Sequence, residues 1–458
     1  MRSITREVSD LVNRGLDAHV RVAVTGLSTA GKTAFITSFV NQFLNISTHD
    51  NLPLLGAAQE GRLIGAKREP QTNLMVPRFA YDEAIEQLSQ EVPNWPTPTR
   101  DVSEIRLAVK YRPKSKARKL ISKTSTLHID IVDYPGEWLL DLPLLEQDFD
   151  VWSETQSVAL TDARKALAKQ WLEAGTQLDL NAPANEAALQ RVSELYTDYL
   201  LQCKQAGYHW VQPGRFVLPG DLKGAPVLQF FPVENVDLDS VVKGSNLDML
   251  ISRYKEYQTS VVKRFYKDYF SSFDRQIVLV DCLSPLNSGR ESFQDMRFAL
   301  EQIMQSYQYG RSSLLSRLFA PKIDKVLFAA TKADHVTPEQ HTPLVSLLQK
   351  MIHKVWQQAA FEHIDMQCMS IASIQATQAG HVYAEGKMKS VLKGTSMEGE
   401  SMTVFPGSVP KSLPESSFWQ KYRFDFTAFR PEPLADHQPL PHIRMDKVIE
   451  YVLGDKLR

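Results

Sequence analysis

Cysteine is scarce: the 458 residues contain three, Cys203, Cys282 and Cys368, with no CxxC spacing. This excludes a disulfide framework or a thiolate zinc site and suits a reducing compartment, with the thiols serving as small buried hydrophobes. An excess of either charge is also lacking, since 52 Lys+Arg stand against 53 Asp+Glu. No whole-chain field therefore favours nucleic acid or anionic lipid as the main partner. No stretch reaches the roughly 18 apolar residues of a membrane span. The opening MRSITREVSDLVNRGLDAHVRV mixes acids with bases and has no apolar run before Val20, unlike a secretory signal. The expected location is the cytoplasm, with peripheral contact at the inner membrane left open. HExxH and GxSxG are missing as well, which removes the common zinc-hydrolase and serine-hydrolase readings. The remainder, 43% hydrophobic and 23% charged, is an ordinary folded composition, long enough for two or three units at about 150 residues each.

What is present begins with a phosphate loop. Val20-Arg-Val-Ala-Val24 alternates into an apolar strand that runs into Gly26-Leu-Ser28-Thr29-Ala30-Gly31-Lys32-Thr33, followed by helix-compatible residues from Ala34. Small residues at this spacing let backbone N–H groups wrap a phosphate, and the following helix N-terminus adds partial positive charge. Lys32 is placed to bridge the β- and γ-phosphates and Thr33 to hold Mg2+; the alternative is a ligand-free strand-to-helix turn. A second apolar strand, Leu127-His-Ile-Asp-Ile-Val-Asp133, ends in Tyr134-Pro-Gly136-Glu137. There Asp133 can reach the metal through a water and the Gly136 N–H can sense the γ-phosphate. A third, Lys325-Val-Leu-Phe-Ala-Ala, opens into Thr331-Lys332-Ala333-Asp334. A carboxylate there accepts two hydrogen bonds from guanine, adenine offers no such donor pair, and the Lys332 stem can cover the ring. The alternative is a solvated helix cap at Asp334.

GLSTAGKT, DYPG and TKAD, in that order, resemble the motifs of the Ras-like, translation-factor-related GTPase class, with Thr in place of the commoner Asn of NKxD. Together with WPTPTRDVSEIRL, DYPGEWLLDLPLL and a long helical insertion, the chain resembles the YcjX-like family of bacterial stress-associated P-loop proteins. The resemblance implies a nucleotide switch in a bacterial stress response. Family logic also asks for a threonine ahead of the second strand. Thr97 and Thr99 both qualify, and Thr99 lies nearer the strand beginning at Glu104. Arg100 is a candidate internal arginine finger, and Ala372-Ser373 a weak counterpart of the loop that donates to guanine O6. Glu137 stands where Ras-like enzymes place a water-orienting Gln. Like-charge repulsion beside a γ-phosphate implies slow intrinsic hydrolysis.

The expected fold is an α/β three-layer P-loop GTPase domain with a mostly parallel sheet and a large helical insertion. From Lys32 to Asp133 is 101 residues and from Asp133 to Lys332 is 199, against about thirty for one strand-helix-strand unit. Residues 1–143 and 274–395 are assigned to the GTPase domain, 144–273 to the insertion, and 396–458 to a proline-rich tail with a closing helix. The stripes Val192, Leu195, Tyr196, Tyr199, Cys203 and Ile251, Tyr254, Tyr257, Val261, Phe265 follow helical spacing. The Trp210–Asp221 stretch reads as irregular or short β, and Phe418, Trp419, Tyr422, Phe424 and Phe426 as edge-strand aromatics. Lys110–Lys119 carries six bases in ten residues, an exposed loop that can touch anionic lipid, although a solvated turn explains it equally. GTP/GDP and Mg2+ are the expected cofactors, and the insertion is the expected surface for a protein effector. An ATPase and a non-hydrolysing, nucleotide-stabilised interaction protein remain the alternatives.

Overall fold

Alternation in Val20, Val22 and Val24 builds the first strand, β1 (Ala18–Gly26), which presents these valines to the core. The computed structural model describes residues 18–99, 101–114, 122–306, 323–353, 356–357, 364–421, 424–435 and 438–458. β2 (Leu63–Glu69), β3 (Ser103–Tyr111), β4 (Ser125–Asp133), β5 (Arg275–Val280), β6 (Lys325–Ala330) and β7 (Asp365–Ser370) complete a seven-stranded sheet of order β2-β3-β4-β1-β5-β6-β7. β4, β1, β5, β6 and β7 run parallel, whereas β2 and β3 are antiparallel to their neighbours. From β1 the chain goes to the far edge at β2, fills inward through β3 to β4 beside β1, and then crosses to the other side to lay down β5, β6 and β7 outward. The carboxyl end of β1 is thus a topological switch point, where open α/β sheets bind ligands.

The helix Lys32–Leu44 covers one face with Phe35, Phe39 and Phe43, spaced at i, i+4 and buried against the valines of β1. Met445, Val448, Ile449 and Val452 of the closing helix, Met445–Leu453, are buried in the same core. A smaller antiparallel sheet holds β8 (Thr377–Ala384), β9 (Lys387–Ser396), β10 (Ser401–Val404) and β11 (Phe429–Arg430). Its first hairpin turns on Glu385 and Gly386, at φ 53° and 74°, the left-handed pair that right-twisted strands favour. β9 runs across Lys387–Ser396, through the position at which the sequence places the start of the tail. The tail aromatics do not extend an edge. Phe418, Trp419, Phe424 and Phe426 pack on one another outside any strand, while among the described tail residues Ser401–Val404 and Phe429–Arg430 pair with β9; Tyr422 lies outside the described residues.

The chain divides into two compact units. One comprises Met1–Tyr134, Phe273–Gly289 and Ile323–Arg458; the other comprises Pro135–Ser272 and Arg290–Lys322. The second is helical: a 3-10 segment Gly136–Glu146, then helices Phe149–Val158, Asp162–Thr176, Glu186–Gln205, Asn246–Glu256 and Arg290–Ser306. Thr161, Asn185 and Ser245 cap three of them, each side chain accepting from a backbone N–H three residues on. Val192, Tyr196, Tyr199 and Cys203 lie inside with Ile251, Tyr254, Tyr257, Val261 and Phe265, and Leu195 is half-buried. Between Trp210 and Asp221 the chain forms short helical turns, Gly214–Val217 and Gly220–Leu222, in place of a strand. No helix among the described residues is long and apolar enough to cross a membrane.

Candidate functional site

In the first unit Gly26–Thr33, Asp133, Thr331–Asp334 and Ala372–Ser373 lie at or just beyond the carboxyl ends of parallel strands, whereas Thr97 and Thr99 precede β3. β1 ends at Gly26, where an added Cβ would meet the Leu279 carbonyl oxygen at 2.8 Å, so the strand turns there only as glycine. Thr29 and Gly31 take left-handed backbone, at φ 69° and 80°, and Gly31 leads into the helix at Lys32. That helix has no side-chain cap and no acid in its first turn, which leaves the positive end of its dipole uncompensated. The Lys32 Nζ folds back 3.2 Å from the Gly26 carbonyl. Ala30 is buried, Ser28 is half-buried, and Ala34 packs beside Leu88, Ile374 and Leu440.

Thr33 and Thr99 meet although 66 residues separate them. Their hydroxyls are 3.3 Å apart, and the Thr99 N–H donates to the Thr33 Oγ1 at 3.3 Å. Thr97 is instead tied to Gln87 at 2.9 Å through both its N–H and its hydroxyl. The structure therefore brings Thr99, and not Thr97, to the phosphate loop. Asp133, 1% exposed at the end of β4, makes no close hydrogen bond or ion pair among the described residues, and the groups that act on it are the Thr99 side chain and the Lys32 charge. Burial raises its pKa to about 6, with the Lys32 charge and the Thr99 side chain pulling the other way. A buried carboxylate without partners is costly unless something charged sits against it. Two converging hydroxyls near such a carboxylate suit Mg2+, which takes oxygen ligands, keeps several waters and needs few carboxylates. Thr33, Thr99 and Asp133 are the residues that fit it.

Asp334 is buried, 4% exposed, so it is not a solvated cap. Its Oδ2 accepts from the Ala376 N–H at 2.8 Å, and the Thr377 hydroxyl donates to its backbone carbonyl. The loop after β7 therefore wraps this aspartate, as a base-reading carboxylate requires. Ala372 and Ser373 begin that loop, but the Ala372 N–H donates to the Ile443 carbonyl at 3.1 Å. Its donor is thus already engaged, while Ser373 is half-buried beside it. Thr331 closes β6 with its N–H on the Val280 carbonyl at 2.9 Å. Lys332, left-handed at φ 58°, sends its Nζ to Asp281 Oδ2 at 2.6 Å.

The sequence reading missed Asp281, which is fully buried just beyond β5. Burial pushes its pKa up, but the Lys332 cation and the Ser284 donors outweigh this and hold it below the usual carboxylate value. Its signal was present: Gln276-Ile-Val-Leu-Val-Asp281 is an apolar strand ending in Asp, as is the segment ending at Asp133. Ala376 and Thr377, which hold Asp334 through a backbone N–H and a hydroxyl, carried no motif.

In the helical unit, Gly136 opens the 3-10 segment. The Glu137 carboxylate, 2% exposed, accepts from the Lys204 Nζ at 2.8 Å. Arg100 and residues 115–121 lie outside the described residues. Of the basic loop, Lys114 pairs with Glu60 and Arg112 donates to the Gly61 carbonyl at 3.2 Å.

The chain is 52% identical over 465 residues to a protein of Escherichia coli K12 named Ras-like GTPase YcjX, covering 100% of both chains. It is 44% identical over 481 residues to a protein of the same name from Shewanella oneidensis, covering 100% of this chain and 98% of that one. The profile of the YcjX-like family matches residues 20–457. With a P-loop GTPase fold spanning the motifs and a family match along nearly its whole length, the chain belongs to the YcjX-like family.

Proposed function

We propose that the chain binds guanine nucleotide with Mg2+, hydrolyses GTP slowly and acts as a nucleotide-controlled conformational switch. The observation that carries this reading is Asp133: buried, without a close ion pair or hydrogen bond on either oxygen, and at the end of the strand beside the phosphate loop whose Thr33 already meets Thr99. The two named relatives lend the guanine assignment support, as does the burial of Asp334 within the loop after β7.

In this reading the backbone from Gly26 to Thr33 cradles the phosphates, Lys32 leaves the Gly26 carbonyl to meet them, and Thr33, Thr99 and Asp133 hold the cation. When bound, the cation neutralises charge on the phosphoryl oxygens. The Gly136 N–H binds the γ-phosphate and releases after hydrolysis. Asp334 reads the base, with Thr331 and Lys332 shaping its pocket and Ser373 in the adjoining loop. Glu137 is the water-orienting candidate. Its negative charge and its pairing with Lys204 support a low intrinsic rate. Arg100 stays a candidate finger on its sequence position alone. The boundary between the two units falls inside Asp133-Tyr-Pro-Gly136, and the helical unit is the surface we assign to an effector. A role in bacterial stress response rests on the family resemblance.

Equilibrium binding of fluorescent GDP, GTP and ATP analogues, with and without Mg2+, tests this. Guanine nucleotides should win by about two orders of magnitude or more, and Asp334→Asn should move the preference towards xanthine nucleotide. Equal or tighter ATP binding defeats the guanine assignment, and tight GTP binding without Lys32-dependent phosphate release defeats the enzymatic half.

A further inference from the structure

Asp281 has no part in the reading above, yet it is the most heavily bonded carboxylate near the phosphate loop. One oxygen accepts from the N–H groups of Leu283 and Ser284, both at 3.1 Å. The other accepts from the Lys332 Nζ at 2.6 Å, the Ser284 hydroxyl at 2.5 Å and the Thr29 hydroxyl at 3.4 Å. The two backbone bonds fix the carboxylate on the turn that follows β5, so it is a rigid post. Its remaining partners come from the two loops that would grip opposite ends of a nucleotide. Thr29 belongs to the phosphate loop and Lys332 to the base-recognition motif. Both sit in left-handed backbone, which a non-glycine residue keeps only when its surroundings enforce it. The Lys332 side chain remains 33% exposed, so its stem is available to a ring while its charge is tethered.

We propose that Asp281 is a positioning residue that ties the base-reading loop to the phosphate loop, holding the Lys332 stem where a purine stacks and coupling recognition of the base to that of the phosphates. This rests on the guanine-nucleotide reading and goes beyond it by assigning the coupling to one side chain. A charge-assisted hydrogen bond to a buried carboxylate is strong enough for its loss to be read in affinity. A post that only supports the fold would weaken every ligand alike or lower stability. One that positions Lys332 should weaken the part of binding contributed by the base and spare the part contributed by the phosphates.

The test measures affinities for GDP and for Mg2+-pyrophosphate, the latter by competition, on the unaltered chain, Asp281→Asn, Lys332→Met and the double variant. The ratio of GDP to pyrophosphate affinity should fall about 10-fold in Asp281→Asn, with pyrophosphate affinity within about twofold of the parent. The double variant should be no worse than Lys332→Met alone, because the two side chains act as one unit. An unchanged ratio, or additive losses, overturns the proposal. If Asp281→Asn proves too unstable to assay, Thr29→Val takes its place. This near-isosteric change in the phosphate loop should lower the same ratio about threefold, and no change there is equally fatal. Should the unaltered chain bind no guanine nucleotide, the functional reading itself fails, an outcome distinct from either of these.

Discussion

Two aspartates flank the phosphate strand and face opposite circumstances. Asp133 ends β4 and Asp281 follows β5, the two neighbours that β1 pairs on either side. Both are buried, yet Asp133 makes no close hydrogen bond or ion pair among the described residues, with Thr99 and the Lys32 charge only nearby, while Asp281 has five donors, one of them a cation. Their pKa values diverge accordingly, upward to about 6 for Asp133 and downward for Asp281. A third buried aspartate, in the helical unit, separates the contributions of neutral donors and cation. Asp141 accepts from the N–H groups of Gly214 at 2.8 Å and Arg215 at 3.3 Å and from the Tyr257 hydroxyl. Burial still raises its pKa to about 7. Three neutral donors and the more distant Arg215 charge do not offset desolvation at Asp141, nor does the Lys32 charge at Asp133, whereas a cation in direct contact does at Asp281. The saturated carboxylate already has its cation, and the one without a close partner is where the proposed reading puts Mg2+.

The largest effect should come from breaking this contrast at Asp133. Asp133→Asn removes the charge a cation would need, and single-turnover phosphate release should drop by about 10³-fold, the scale of losing one electrostatic contact to a transferring group. The ligand-free variant should melt no earlier than the parent, since the change relieves an unpaired buried charge. Added Mg2+ and GTP should raise the melting temperature of the parent well above that of the variant. Loss of ligand-free stability in the variant would mean Asp133 is scaffold after all, and the contrast would collapse.

Asp141 sharpens the comparison through pH. Its folded pKa lies above the unfolded value, so between about pH 4 and 7 the native state keeps a proton that the unfolded chain has lost. Stability of the helical unit should therefore fall as pH rises through that window, by on the order of 3 kcal/mol. Asp141→Asn cannot titrate and should flatten the slope. Urea midpoints of the two proteins at pH 4.5 and 7.5, followed by tryptophan fluorescence, measure it; parallel pH profiles would show that Asp141 stays ionised in the fold.

How legible these features were depended on whether a residue's partner lay close in sequence. The phosphate loop, the strand ending at Asp133 and the Thr331–Asp334 segment were readable because each combines an apolar strand with a fixed short motif. The helical stripes through Tyr196 and Tyr254 were readable because periodicity is a local property. The small sheet was not. Its hairpin turns on Glu385-Gly386, outside the Asn-Gly pattern, and its exposed lysines obscure the alternation. Proximity to the strand selected Thr99, but only the fold shows why Thr97 is excluded, through Gln87. Asp281 went unread for the same reason: its partners Thr29 and Lys332 lie 252 and 51 residues away.

The smallest effect should have the opposite sign to that of Asp141. Asp281 is held below its ordinary pKa, so between that depressed value and about pH 4 the unfolded chain binds the extra proton. Its contribution to stability is present above about pH 4 and is lost as pH falls through the folded pKa. Asp281→Asn should cost about 1–3 kcal/mol at pH 7, the range for a hydrogen bond to a charged group, and that penalty should shrink in acid. Lys332 is partly exposed and can turn to water when its partner is gone, which keeps the loss below that of a fully buried pair. Urea unfolding of the ligand-free parent and variant at pH 7 and pH 3 decides the matter. A penalty that persists undiminished at pH 3 would trace it to lost packing, and the Lys332 cation would then no longer account for the difference between Asp281 and the other two aspartates.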